Sequence, residues 1–228
     1  MSVKITWLGH AAFELTIDGR TVVIDPFLTG NPAATTTAGQ LNPQVILLSH
    51  AHGDHLGDTV ALAKRTGAMV VANYEIGVWL QNNGVKNVAA LNPGGTYKDK
   101  LLQARLTIAR HSSSFADGTY GGEANGFVVT IGKFKLYFAG DTDVFMDMQL
   151  IGDLGIDVAL LPIGGKFTMG PDEALRAIQL VRPKVVIPMH YNTFPFIEQD
   201  AAAWGERVDN ETDTMAIVLR PGESYTVG

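Results

Sequence analysis

Polar and apolar residues alternate from Val3 to Leu8, from Ala12 to Ile17 and from Thr21 to Asp25, with the turn Asp18-Gly19-Arg20 between the second and third runs. A period of two puts every second side chain on one face, so the start of the chain reads as three strands in a β-meander. Pro26 to Pro43 is rich in Thr, Ala, Gly and Pro and follows neither period, which predicts a long surface loop. A compact apolar strand is expected over Val45 to Ser49, then a histidine-rich turn, then a helix over Gly57 to Arg65 stopped by Gly67. Ala68 to Ala72 reads as a strand, Tyr74 to Asn83 as a helix closed by Gly84, and Lys86 to Leu91 as another strand.

The second half repeats this order. Leu101 to Arg110, Gly126 to Ile131 and Phe134 to Ala139 have strand composition, the last two separated by the hairpin signal Gly132-Lys133. A buried strand follows over Ile156 to Ile163, then a helix over Pro171 to Val181 with proline at its start. Val185 to Met189 reads as a strand, Glu198 to Val208 as a helix, and Ala216 to Val227 as a hairpin around Pro221-Gly222. Strands open each half and helices come later in each, which suggests an α/β fold of two sheets packed face to face with helices outside, in four layers. No linker or repeat divides the chain, so residues 1–228 are expected to form one domain.

Composition narrows the function. Hydrophobic residues make up 46% of the 228 and charged residues 18%, enough apolar material for a sizeable core. Lys and Arg number 17 against 23 Asp and Glu, a net charge of −6 with no basic run, which disfavours a grip on nucleic acid or anionic lipid. With no cysteine, a metal must be held by His, Asp or Glu. Met1 to His10 lacks a secretion signal and no apolar run approaches a membrane span, so a soluble, cytoplasmic protein is expected.

The chemistry concentrates in Ser49-His50-Ala51-His52-Gly53-Asp54-His55, directly after a strand. In extended chain, residues two apart project to one side, so His50 and His52 can share a metal while Asp54 and His55 point elsewhere. Imidazole and carboxylate suit Zn, Mn or Fe, and two ligand groups in one turn suggest two ions roughly 3.5 to 4 Å apart. His111, Asp141 and His190 each follow a strand and can complete the two coordination spheres. Ser112 to Ser114 read as polar loop residues, since no histidine remains to activate them.

This pattern, His-X-His-X-Asp-His followed by a distant His, an Asp after a strand and a last His, resembles the metallo-β-lactamase superfamily over essentially the whole chain. Trp7-Leu8-Gly9-His10, Phe167-Thr168-Met169-Gly170-Pro171 and His190-Tyr191-Asn192-Thr193-Phe194-Pro195 are similar to stand-alone metal-dependent hydrolases of the UPF0173 type, related to ascorbate-6-phosphate lactonase. The resemblance implies an αββα sandwich in which His50, His52 and His111 hold one divalent ion, Asp54, His55 and His190 hold a second, and Asp141 bridges them. Zn or Mn is the expected metal, with Fe and Ni admitted by the same donors. It further implies a hydrolase that uses metal-activated water on a small anionic lactone, ester or phosphodiester, with Asp54 either accepting a proton or only orienting the water.

His10 resembles a histidine that faces the metal cleft in such relatives, as a proton shuttle or substrate contact; a hydrogen-bonded core histidine is the competing reading. Asp25 is a candidate for orienting a ligand histidine from behind, or for forming a turn. Lys166, in a loop that by resemblance nears the cleft, is a candidate for a phosphate or carboxylate, or an ordinary solvated lysine. Tyr191 and Asn192 are candidates for contacting substrate. Two rival functions are a metal-dependent nuclease or phosphodiesterase acting on RNA or nucleotides, disfavoured by the charge, and an inactive metal-binding module, disfavoured by the full set of seven ligands. Relatives that assemble leave a homo-oligomer open.

Overall fold

The computed structural model describes residues 2–227, which contain fourteen strands and six α-helices. In chain order these are β1 (Val3–Gly9), β2 (Ala12–Ile17), β3 (Arg20–Ile24), β4 (Val45–Leu47), α1 (Gly53–Leu56), α2 (Thr59–Thr66), β5 (Met69–Asn73), α3 (Tyr74–Asn82), β6 (Val88–Leu91) and β7 (Thr96–Lys98). There follow β8 (Gln103–Ile108), β9 (Asn125–Ile131), β10 (Phe134–Phe138), α4 (Met148–Gly152), β11 (Val158–Pro162), α5 (Pro171–Val181), β12 (Val185–Met189), α6 (Ala201–Glu211), β13 (Met215–Ala216) and β14 (Ser224–Val227).

Two seven-stranded sheets result, in the orders β14-β1-β2-β3-β4-β5-β6 and β13-β12-β11-β10-β9-β8-β7. Each starts as an antiparallel meander and turns parallel: β3 to β6 run parallel in the first, β10 to β13 in the second. The inner faces share one core, with Ile5, Phe13, Leu15, Ile24 and Leu47 facing Phe127, Val129, Leu136, Phe138 and Leu160. The outer face of the first sheet puts Val23, Ile46, Leu48 and Val70 against Leu62 of α2 and Ile76 and Leu80 of α3. Both faces of β4 are therefore covered, which is why Val45 to Leu48 is continuously apolar rather than alternating. Each such side chain contributes about 1.5–3 kcal/mol relative to exposure.

Helix α5 shows how an outer layer forms. Proline sits at its start, Asp172 and Glu173 complement the positive end of its dipole, and Ala174, Leu175, Ala177, Ile178, Leu180 and Val181 form its buried stripe. Among the described residues, no helix is long and apolar enough to cross a membrane.

The four-layer α/β sandwich agrees with the expectation from the strand and helix pattern, and three local readings are corrected. The segment from Ala216 to Val227 is not a hairpin. β13 pairs parallel with β12 in the second sheet while β14 pairs antiparallel with β1 in the first, so the Pro221-Gly222 turn carries the chain from one sheet to the other. The helix expected from Gly57 begins at Thr59, and Gly57 is a break after α1 at φ +39°. A Cβ there would lie 2.4 Å from the Pro26 carbonyl oxygen, so the crossing needs glycine. The helix expected from Glu198 begins at Ala201, where the Asp200 side chain accepts from Ala203 N–H and caps it. Strand β7 and the short helices α1 and α4 are additions.

Candidate metal centre

The strand ends converge on one edge of the sandwich. His10 follows β1, Asp25 follows β3, His50 to His55 follow β4, and His111, Asp141 and His190 follow β8, β10 and β12. Hydrogen bonds between loops fix this edge: Asn125 N–H donates to Ser49 O (3.1 Å), Arg110 N–H to Thr142 Oγ1 (2.9 Å), and Ser113 Oγ accepts from Ala51 N–H (3.2 Å) while donating to Gly121 O (3.0 Å). Ser113 thus braces the turn between His50 and His52.

One group of donors consists of His50, His52 and His111. His52 Nδ1 lies 3.0 Å from His50 Nε2 and 3.3 Å from His111 Nε2. Nitrogens bound 2.0–2.1 Å from a tetrahedral ion are roughly 3.3 Å apart, so this spacing fits a shared cation. The chain is extended up to His52, which then caps α1, and the helical turn swings Asp54 and His55 into a different direction.

Asp54, His55, His190 and His10 form a second group, with one donor atom from each within 4.8 Å of the others. Asp141 lies between the groups: its Oδ1 is 3.3 Å from His55 Nε2, and its Oδ2 is 3.0 Å from His190 Nε2 and 3.6 Å from His111 Nε2. His55 Nε2, Asp141 Oδ1 and both His190 ring nitrogens are buried without a partner in hydrogen-bond geometry. Buried polar atoms left unpaired are costly, and donors of this type aimed at a common centre fit metal ligation.

Asp25 sits fully buried behind both groups. Its Oδ2 accepts from His55 Nδ1 (2.7 Å) and from Ser49 Oγ (2.5 Å), and its Oδ1 accepts from Ser49 N–H (2.8 Å). Ser49 Oγ in turn lies 2.9 Å from His50 Nδ1. Because the hydroxyl has one proton and gives it to the carboxylate, the Nδ1–H of His50 donates to Ser49, and the same carboxylate fixes the Nδ1–H of His55. Both histidines therefore turn a bare Nε2 toward the centre when neutral, one in each group.

His10 is fully buried, with Nε2 3.2 Å from Asp54 Oδ2 and Nδ1 2.9 Å from Thr193 Oγ1. An ionised Asp54 only accepts, so the neutral ring carries its proton on Nε2 and accepts the Thr193 hydroxyl at Nδ1. Without metal, burial pushes His10 down to about 4 against the opposing Asp54 bond. Burial and the neighbouring His55 hold His50 well below its usual value. Burial also opposes charge on His55, yet Asp141 and Asp25 overrule it and raise that ring well above its usual value. For Asp141, burial is outweighed by His190 and His55, which hold the carboxyl well below the usual range. Burial likewise raises the Asp54 carboxyl, but the His10 bond and the His55 charge prevail and lower it.

The seven expected ligands are thus brought together, with His10 and Asp25 beside them. Tyr191 and Asn192 are not. Tyr191 stacks on Trp7 (5.2 Å between centroids), and burial pushes its hydroxyl up to about 12. The Asn192 amide is engaged in its own loop, accepting from Gln199 N–H (2.7 Å) and donating to Gln199 O (3.0 Å), and closes a turn there. Lys166 is exposed and touches none of the ligands, its Nζ lying 5.0 Å from the Phe196 ring centroid. Ser49 and Thr193 are positioning residues that no periodicity or motif marks; only their places directly before His50 and three after His190 point to them.

Known proteins resemble this one along most or all of its length. A family model described as Beta-lactamase superfamily domain matches residues 4–190. A UPF0173 metal-dependent hydrolase of Thermus thermophilus is 51% identical over 222 residues, covering 97% of each chain. One from Methanopyrus kandleri is 50% identical over 228 residues, covering 98% of this chain and 99% of its own. Among solved structures, a metallo hydrolase from the archaeon Ignicoccus hospitalis superposes with a TM-score of 0.92 at 39% identity, over 100% of this chain and 99% of the other.

Proposed function

The chain belongs to the β-lactamase superfamily domain family and is a metal-dependent hydrolase, and from that premise we propose that it works with two divalent cations, Zn or Mn, on a small anionic lactone, ester or phosphodiester. The observation that carries this reading is the position of Asp141, whose two oxygens face His55 on one side and His111 and His190 on the other. His50, His52 and His111 would hold one ion, Asp54, His55 and His190 the other, and Asp141 both. When bound, such ions polarise the oxygen under attack and make hydroxide available near neutral pH.

The chain's own groups do the rest. Asp25 and Ser49 hold the ligand tautomers, so the Nε2 lone pairs of His50 and His55 stay available. Asp54 is one-third exposed at its side chain, placing a carboxylate at the open side of the site where it orients water. His10 Nε2–H donates to that carboxylate and holds its orientation, with Thr193 keeping the ring in register. A net charge of −6 and the absence of a basic run favour a small molecule over nucleic acid.

Loading the metal-free protein with Mn or Zn and comparing an activated phosphodiester with a small phosphorylated lactone tests the substrate class. Turnover of either supports the reading, lactone opening alone sides with the ascorbate-6-phosphate lactonase relationship, and inertness toward both with two ions bound overturns it.

A further inference from the structure

Beside the His10 side of the metal centre, aromatic rings run outward in an unbroken series. Phe194 meets the His10 ring edge-on at 5.7 Å and stacks on Phe196 at 5.5 Å with an interplanar angle of 16°. Phe196 meets Phe167 at 5.6 Å, and Lys166 Nζ sits 5.0 Å from the Phe196 centroid and 5.5 Å from that of Phe167. Phe167 and Phe196 are about half exposed, at 51% and 50%. Two large rings held open to water beside a hydrolytic centre, with a cation fixed over them, are a preformed surface rather than scattered exposure.

The array is tied to the ligand backbone. A Cβ on Gly164 would lie 2.2 Å from the His190 carbonyl oxygen, so the start of the Lys166 loop is pressed onto a ligand residue. Met169 N–H donates to Thr142 O (2.9 Å), fastening the end of that loop beside Asp141. Lys166 itself adopts φ +43°, a left-handed conformation that costs energy for a lysine and persists only where the surroundings impose it. Among the described residues, Lys166 enters no ion pair, and its exposed ammonium lies over the two rings.

We propose that Phe194, Phe196, Phe167 and Lys166 form a substrate track: the molecule hydrolysed at the metals has a planar, unsaturated or aromatic body that lies along the phenylalanines and a terminal anion that reaches Lys166. The inference rests on the hydrolase reading above and adds the body and the far end of the substrate to it. Flat π-systems gain from the ring faces and edges in a way that a flexible alkyl chain does not, and an anion supplies the partner that the lysine lacks.

Calorimetric titration of the Zn-loaded protein with biphenyl-4,4'-dicarboxylate, biphenyl-4-carboxylate and decanedioate tests the track. The biphenyl dicarboxylate is expected to bind most tightly. Lys166→Gln should weaken it by about fivefold, to the level of the monocarboxylate, whose own affinity stays put. Phe196→Ala should weaken both biphenyl ligands by roughly three- to tenfold and spare decanedioate. Equal affinities for the three ligands, or variants that bind as the wild type does, overturn the track. Hydrolysis of an activated ester by the same Zn-loaded preparation reads the functional assignment separately: turnover with ungraded binding sinks the track alone, and graded binding without turnover keeps the track while sinking the ester chemistry.

Discussion

The backbone N–H of His190 donates to the carbonyl oxygen of His10 at 3.0 Å, and the two imidazole rings lie 4.0 Å apart. Both residues have φ +58°, a conformation that non-glycine residues hold only when the surroundings demand it. The demand comes from two directions, since the Trp7 indole also donates to the His10 carbonyl at 2.9 Å. One strained pair thus stitches the end of the first strand of one sheet to the end of a parallel strand of the other, across the edge that carries the ligands.

Replacing His10 by Gln removes the imidazole beside Asp54 and leaves every proposed ligand in place. The bound metal count is expected to stay at the wild-type value while turnover falls by roughly tenfold to a hundredfold, because the Asp54 carboxylate loses the ring that orients it. Elemental analysis together with steady-state rates checks this, and loss of an ion would make His10 a ligand.

Asp25→Asn puts an amide where one buried carboxylate serves both His55 and, through Ser49, His50. Metal affinity is expected to fall by about 10–100-fold, the usual cost of losing an outer hydrogen-bond partner of a ligand. Competition with a chromogenic chelator measures it, and unchanged affinity would reduce Asp25 to a turn residue.

Much of this site is legible in the sequence because its ligands follow strands whose periods are plain: His50 after Val45 to Leu47, His190 after Val185 to Met189. What escapes is set by contacts distant in the chain. The Pro221-Gly222 turn announces a reversal but not that Met215 and Ala216 join one sheet while Ser224 to Val227 join the other. Helix α4, five residues long, is too short to show a period. Asn192 looks like a substrate contact by adjacency to His190, yet its amide is spent on Gln199, seven residues away. Thr193 and Ser49 orient rings through single hydroxyls, which leave no periodic trace.

The metal-free protein should lose stability as the medium is acidified. His10 is held down to about 4 and His50 well below the ordinary 6.5, so between pH 6.5 and 4 the unfolded chain takes up protons that the folded chain refuses. His55, raised above 6.5, acts in the opposite sense: its contribution is full below 6.5 and is lost as pH rises through its folded value. His52 and His111 are lowered in the same way as His10 and His50, and the His55 contribution is constant in this window, so Tm should fall from pH 6.5 toward 4.5, and less steeply in His10→Gln. A flat or rising wild-type profile would contradict the assignment.

The most direct measurement is the metal content of the fully loaded protein set against turnover, for the wild type and for Asp141→Ala. Two equivalents per wild-type chain, falling to one or fewer in the variant with activity abolished, is the predicted result. Full activity with a single equivalent in the wild type, or near-normal turnover in the variant, would contradict a dinuclear centre joined by Asp141.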